Sequence, residues 1–195
     1  MIEPSDRTNQ EEPQPAGGQP KIDFEPKRPL ISYLYLVYLM ITSPRVFFSA
    51  MSVDGGYLRP WLFVIMSLAV PFLLVTFFYR VTAYQLMYLM APVSYMIMAG
   101  GFHLFATGLL GGKAKFQATF RVVAFTSFTA VLGPVDILGM LSSLYGLFLA
   151  AHGMAAVHRI NFPKGALSVL LTVLGLMLIN LMLFRYLQTQ MEIMG

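Results

Sequence analysis

The stretch that decides the fold is Pro60–Tyr79, PWLFVIMSLAVPFLLVTFFY, which holds 20 uncharged residues between two arginines. About 20 apolar residues in a helix cross the roughly 30 Å of hydrocarbon in a bilayer. Trp61 and Tyr79, near the two ends, are aromatic types that favour the membrane interface. Pro71 should kink such a helix without breaking it, because packed neighbours can satisfy the freed carbonyl. The stretch therefore predicts a membrane-spanning helix.

The composition around this stretch excludes a soluble protein. The 195 residues include 13 Lys/Arg and 9 Asp/Glu, which is 11% of the chain, whereas a soluble domain carries about 25%. Only nine charged residues follow Pro60. So few charges cannot cover a soluble surface, which excludes a soluble enzyme and a nucleic-acid-binding protein. The absence of cysteine also excludes disulfides, thiol catalysis and cysteine–zinc sites.

Four further spans are predicted downstream, at about 85–110, 118–133, 137–157 and 165–184. The span at 118–133 is the weakest, since only 14 uncharged residues separate Arg121 from Asp136. It requires Arg121 to reach the interface along its aliphatic stem. We expect Asp136 to cap the next helix. The predicted fold is an all-α integral membrane protein with a five-transmembrane-helix bundle over 58–187 and a short outer tail over 188–195.

The chain ahead of the bundle has two parts. Residues 1–29 are rich in Pro, Gly, Gln and Glu and are predicted to form a disordered cytoplasmic tail. Residues 30–57 begin with Leu30–Ser43, which is too short to span and is stopped by Pro44-Arg45. Its tyrosines favour the headgroup zone, so we predict short interfacial amphipathic helices here. A kinked span with Arg45 inside it is the alternative.

The basic residues predict the orientation. With five spans and the N-terminus inside, 11 of the 13 Lys/Arg fall on the inner side, and only Arg80 and Arg185 fall outside. With six spans the division is 6 against 7, and the bias disappears. Cytoplasmic loops carry an excess of Lys and Arg. We therefore predict a cytoplasmic N-terminus and an outer C-terminus, in the cytoplasmic (inner) membrane of a bacterium.

Two histidines, His103 and His152, are the notable polar groups within the spans. Both are expected in the inner half of the membrane, where they could share a water, a metal or a headgroup. We expect instead that they are separate polar groups, each of which hydrogen-bonds a neighbouring helix. No third ligand is evident, so no metal is predicted. We also find no catalytic constellation and no cofactor motif, and no enzyme activity is expected.

Small residues and inner cations form the remaining candidate sites. Helix-packing positions are predicted at Gly101, Gly108, Gly146, Ala150 and Gly153, because small residues let helix backbones approach closely. One such stripe could instead serve self-association or a membrane protein partner. Contacts with lipid headgroups on the inner surface are predicted for Arg45, Lys113, Lys115, Arg121, Arg159 and Lys164.

The order of these parts resembles the Yip-domain family of Ypt/Rab-interacting small membrane proteins, in particular its bacterial branch. The resemblance covers about residues 30–185. The motifs that carry it are ITSPRVFF (41–48), HLFA (103–106), GGKAKF (111–116), Gly133-Pro134 and GLFLAAHG (146–153). It implies a cytoplasmic N-terminal region and five spans, in agreement with the charge count.

For eukaryotic members the resemblance implies binding of prenylated Rab-type GTPases. This chain lacks their Asp-Leu-Tyr-Gly-Pro-type segment ahead of the first span, which weakens the expectation of a GTPase partner. The function expected is therefore non-enzymatic organisation of the membrane or of a partner complex. The alternative is a small transporter, permease subunit or channel for a neutral or lipid-like solute, with His103 and His152 lining the path.

Overall fold

The computed structural model describes residues 21–79 and 82–194, and within them every named element is a helix. In chain order the helices are α1 (Pro29–Thr42), α2 (Pro44–Ala50), α3 (Leu58–Leu74), α4 (Thr82–Gly108), α5 (Phe116–Thr126), α6 (Asp136–His158) and α7 (Phe162–Met194). Helix α3 continues as a π-helical turn over Val75–Tyr79, and α5 continues as a 3-10 helix over Ser127–Leu132. Residues 1–20 of the predicted tail lie outside the described residues.

Four helices of the described chain are long and apolar enough to cross a membrane. They are Leu58–Phe78, Gln85–Gly108, Asp136–His158 and Phe162–Glu192. The predicted all-helical membrane fold is thus confirmed for the described residues. Pro71 lies inside α3 as expected. Helix α7 continues through Met194, across most of the residues predicted as an outer tail, because nothing in its sequence stops the helix there.

Helix α5 and its 3-10 continuation form the centre of the bundle. All residues from Ala118 to Ser127 are buried, and the segment packs against α3, α4 and α6. Its 11 α-helical and 6 3-10 residues extend about 28 Å in total. A helix enclosed by protein can carry polar side chains, because they find partners on its neighbours. This enclosure explains why the span at 118–133 gives the weakest hydropathy signal.

Aromatic side chains fill the core around α5. The rings of Phe63 and Phe125 meet edge-to-face with centroids 5.1 Å apart, and Phe47 meets Phe125 in the same way at 5.7 Å. Trp61 packs on Phe120 at 5.1 Å. Edge-to-face pairs of this kind contribute about 0.5–1.5 kcal/mol beyond the area they bury. They join α2 and α3 to the central helix.

Two shorter helices, α1 and α2, precede the long helices. They are separated at Ser43, because Pro44 ends the first and begins the second. Helix α1 has 14 residues, about 21 Å, which is shorter than the hydrocarbon layer. It buries Leu36 and Met40 against the bundle. The Tyr145 hydroxyl of α6 donates a hydrogen bond of 3.1 Å to the Met40 carbonyl oxygen. Helix α1 is therefore packed against the bundle.

The segment 21–28 differs from the predicted disordered tail. Phe24 is only 1% exposed and meets Phe63 edge-to-face at 6.1 Å. The Ile22 amide donates to the Ala50 carbonyl at 2.9 Å, and the Ser52 amide donates to the Ile22 carbonyl at 2.9 Å. Burial of Phe24 and a short backbone pairing thus hold this segment on the bundle. The polar composition of residues 1–29 as a whole gives no sign of either contact.

The small residues divide into packed and open positions. A Cβ added to Gly101 would strike the side chain of Thr172 on α7. At Gly146 it would lie 2.6 Å from Thr129 Oγ1, and at Gly153 it would strike Val122. Ala150 is buried. Gly108 is exposed and has open space around it, so the packing role predicted for it within the bundle is wrong.

Gly100 and Gly101 provide a matched test of the α4–α7 contact. We expect Gly101→Ala to lower the free energy of unfolding by about 1–3 kcal/mol, because the new methyl group meets a buried threonine. Gly100 has open space, so Gly100→Ala should be neutral or stabilising, since alanine is the better helix former by about 1 kcal/mol. Thermal unfolding in detergent, followed by the fluorescence of the single tryptophan, checks both variants. Equal melting temperatures would contradict the contact.

Candidate functional site at the basic end

Three connections meet at one end of the bundle. They are residues 51–57 before α3, 109–115 between α4 and α5, and 159–161 between α6 and α7. Side chains from all three line a single cavity. We call this end, together with the segment 21–28 packed on it, the basic end, because most of the described Lys and Arg residues lie there.

Asp23 joins the N-terminal segment to the bundle through two arginines. Its Oδ2 accepts a hydrogen bond of 2.9 Å from Arg59 Nη1 of α3, and its Oδ1 accepts from Arg121 Nη2 of α5. Arg121 Nη1 donates to the Gly56 carbonyl at 3.2 Å. Gly56 has φ +78, a backbone conformation that glycine adopts without strain. One carboxylate therefore ties the segment 21–28, the connection 51–57 and two helices together.

Arg121 is a correction to the predicted set of headgroup contacts. Its side chain is 0% exposed, and it lies about 8 Å along the axis from the first residue of α5. A buried charge is tolerated when it is paired and hydrogen-bonded. Because α5 occupies the centre of the bundle, Arg121 cannot extend to the interface. Instead the carboxylate of Asp23 reaches the arginine from a segment 98 residues earlier in the chain.

His103 pairs with His158, not with His152. His103 Nδ1 lies 3.1 Å from the Thr119 hydroxyl oxygen, which lies 2.8 Å from His158 Nε2. The Ala114 amide donates to His158 Nδ1 at 3.4 Å. With Nδ1 as acceptor, His158 donates from Nε2 to Thr119, whose hydroxyl can then donate to His103. This chain of hydrogen bonds joins α4, α5 and α6 at the basic end.

His152 belongs to a separate cluster. Its ring lies 4.4 Å from the ring centroids of both Phe148 and Phe162, and its Nε2 accepts a hydrogen bond of 3.4 Å from Arg45 Nε. His103 and His152 therefore lie in separate clusters and do not form a joint site. Similar depth in the membrane does not place two residues on facing sides of their helices. In the described residues, no group of three or more His, Asp or Glu could hold a metal ion.

The connection 109–115 is held in place by tight local packing. Gly111 has φ +75, and the Gly112 amide donates to the Ala106 carbonyl at 2.8 Å. A Cβ on Gly112 would lie 2.5 Å from His158 Nδ1, so only glycine fits there. His158, which accepts a hydrogen bond from the Ala114 amide, therefore also leaves no room for a side chain at position 112. The two flanking lysines, Lys113 and Lys115, remain exposed.

The other predicted site residues are placed as follows. Arg45, Arg159 and Lys164 are exposed, and Arg45 also donates through Nε to His152. Asp136 is the first residue of α6, and no side-chain hydrogen bond caps that helix. The predicted cap is therefore wrong. An acidic residue in the first turn still complements the helix dipole.

Taken together, the fold is that of a polytopic α-helical membrane protein with cations concentrated at one end. The Yip1 domain family model matches residues 38–184, and the chain belongs to this family of integral membrane proteins. No curated protein and no solved structure matches the chain significantly. The predicted membership of the Yip-domain family is thus confirmed.

The pairing of Asp23 with Arg121 is tested by a double-mutant cycle. Asp23→Ala leaves a fully buried guanidinium without its carboxylate, and we expect it to cost about 3–5 kcal/mol of stability. Arg121→Met together with Asp23→Ala should recover much of that loss, because it removes the unpaired charge. Glu25→Ala is the control, since Glu25 is an exposed acid two residues away. Chemical denaturation in detergent of the wild type, Asp23→Ala, Arg121→Met and the double variant gives the four values of the cycle, and additive losses would refute the coupling.

Proposed function

We propose that this Yip1-family protein is a non-enzymatic membrane organiser that acts through its basic end. The proposal rests on the arrangement of polar and basic residues at that end. Its buried polar groups, Asp23, Arg121, Thr119 and His158, are engaged with one another and with the connections. Its exposed cations face outward. Such an end is suited to holding an anionic membrane surface or a partner protein, rather than to transforming a substrate.

We further propose that the chain crosses the membrane five times. The length of α5 with its 3-10 continuation, about 28 Å, is close to the thickness of the hydrocarbon layer. The crossing puts the connection 109–115 and the turn at 133–135 on opposite sides. The cations at 109–115 favour the cytoplasmic side for the basic end and the N-terminus. Helices α1 and α2, with exposed apolar side chains, then dip into the membrane from the inner side, since the Met40 carbonyl near the end of α1 accepts from Tyr145 near the middle of α6.

Membership of the bacterial branch, and hence location in the inner membrane, also belongs to this proposal. It is supported by the missing eukaryotic segment ahead of the first span. The proposed partners are the bilayer and a second copy of the chain or another membrane protein. A path lined by both His103 and His152 is not proposed, since these residues lie in separate clusters.

Single cysteines test the topology without background, because the chain contains none. We expect a membrane-impermeant maleimide to label Val135→Cys in intact cells, since Val135 is 44% exposed in the outer turn. Lys113→Cys should be labelled only after permeabilisation. Labelling of both from the same side would rule out a crossing by α5. Labelling of Lys113→Cys in intact cells, with Val135→Cys labelled only after permeabilisation, would show that the orientation is the reverse of the one proposed.

Organisation of a complex is tested by cross-linking at native expression level. We expect an affinity-tagged chain to be recovered in a band of defined mass above the monomer, because an organiser acts by contact with other proteins or with itself. Mass spectrometry of that band identifies the occupant. Recovery of the monomer alone, from cells in which the tagged chain is correctly inserted, would contradict the proposed role.

A further inference from the structure

The cavity at the basic end has an unusual distribution of charge. Its volume is about 350 Å³, and its charged lining residues are Asp54, Lys113, Lys115 and Arg159. Three cations therefore face one acid. The ion pairs found in the described residues both use Asp23, so none of these three cations has a carboxylate within ion-pairing distance there.

The backbone holds the three cations in position around the cavity. Lys113 and Lys115 flank Ala114, whose amide donates to His158. Arg159 directly follows the C-terminus of α6 and adopts the left-handed conformation with φ 54. The loop carrying Asp54 is held by the Ser52 hydroxyl, which donates to the Asp54 carbonyl at 2.6 Å. The lining is therefore built from two fixed turns and one tethered loop, and it is not a random cluster of surface charges.

The depth of the cavity fits the level of lipid headgroups. It is bordered by Ala118 in the first turn of α5 and by Val157 in the last turn of α6. Nearby, Tyr57 packs on Phe116 and Phe120 with centroids 6.5 and 5.6 Å away. Tyrosine and tryptophan concentrate at the interface between hydrocarbon and water. The cavity thus opens where the phosphates of the surrounding lipids lie.

From these observations we infer that the cavity binds the phosphate group of an anionic phospholipid. The two lysine ammonium groups and the Arg159 guanidinium supply charge-assisted hydrogen bonds to the phosphate oxygens. Basic pockets between membrane helices on the cytoplasmic side are suited to such headgroups. The Asp54 carboxylate repels the phosphate and so weakens the binding that the three cations provide. The inference rests on the proposed orientation of the basic end.

Native mass spectrometry of the full chain, titrated with phosphatidic acid in detergent, tests the site. We expect Lys113→Gln/Lys115→Gln to weaken binding about 25-fold, since each lysine at a membrane surface contributes about a factor of five. The control is Lys21→Gln/Lys27→Gln, which removes two exposed cations of the basic end outside the cavity and should leave the affinity unchanged. Equal weakening in both variants would overturn the site and indicate diffuse attraction only.

The sign of the Asp54 effect gives a second, independent readout. Asp54→Asn should tighten phosphatidic acid binding about fivefold, because it removes one negative charge from the cavity. Glu25→Gln removes an exposed acid outside the cavity and should have no effect. Weaker or unchanged binding in Asp54→Asn would overturn the inference. Tryptophan-monitored melting of each variant shows whether the fold is intact.

A competition experiment distinguishes the source of the phosphate. Inorganic phosphate in excess should leave phosphatidic acid bound, because the acyl chains hold the headgroup at the cavity. Displacement by inorganic phosphate would overturn the lipid as ligand while supporting phosphate chemistry at the site. Cysteine labelling and cross-linking report on the proposed function separately. Loss of lipid binding with normal topology and complex formation would overturn this inference alone.

Discussion

The burial of one arginine constrains the rest of the structure. Arg121 lies in the central helix and is 0% exposed, so its charge must be compensated inside the protein. Asp23 does this from a segment that Phe24 and the backbone of Ile22 also hold on the bundle. The same carboxylate also binds Arg59, and the guanidinium also binds the Gly56 carbonyl. Arg121 Nε has no hydrogen-bond partner among the described residues. The N-terminal segment is therefore part of the fold, and its removal would expose an uncompensated charge to the bundle interior.

The central position of α5 explains why its sequence looks least like a membrane helix. Thr126 and Thr129 donate to carbonyls three residues back, at 3.0 and 2.9 Å, and Thr119 connects two histidines. These threonine hydroxyls find their partners within the protein, as the low-dielectric interior requires, whereas Ser127 Oγ, like Arg121 Nε, has no hydrogen-bond partner among the described residues. Helices α3 and α7 carry polar residues such as Ser67 and Thr172 on their buried faces, and mostly apolar side chains on the faces that remain exposed. Hydropathy thus measures exposure to lipid rather than presence in the bundle.

The difference between exposure to lipid and position in the bundle determines which features could be predicted from the sequence. The four long helices follow from uninterrupted apolar runs such as Pro60–Tyr79, and Pro44 correctly separates α1 from α2. The partners of polar residues could not be predicted in the same way. His103 and His152 have similar depth but face different neighbours, because the rotation of each helix about its axis is decided by packing. Asp23 and Arg121 are 98 residues apart, and no local pattern links them. Phe24 is the one sequence signal of the docked segment, a lone aromatic residue among polar residues.

The buried Asp23–Arg121 pair and the exposed cavity are connected through residues 51–57. The connection 51–57 is tied on one side to Arg121 through Gly56 and to Ile22 through Ser52. On its other side it brings Asp54 to the cavity lined by Lys113 and Arg159. Displacement of Asp23 together with its segment would break the bonds from Ile22 to this loop, which supplies the only acid among the cavity's described lining residues. Withdrawal of Asp54 would leave three cations facing the headgroup layer. The N-terminal segment thus influences the charge that the basic end presents to the membrane, although it contributes none of the three cations itself.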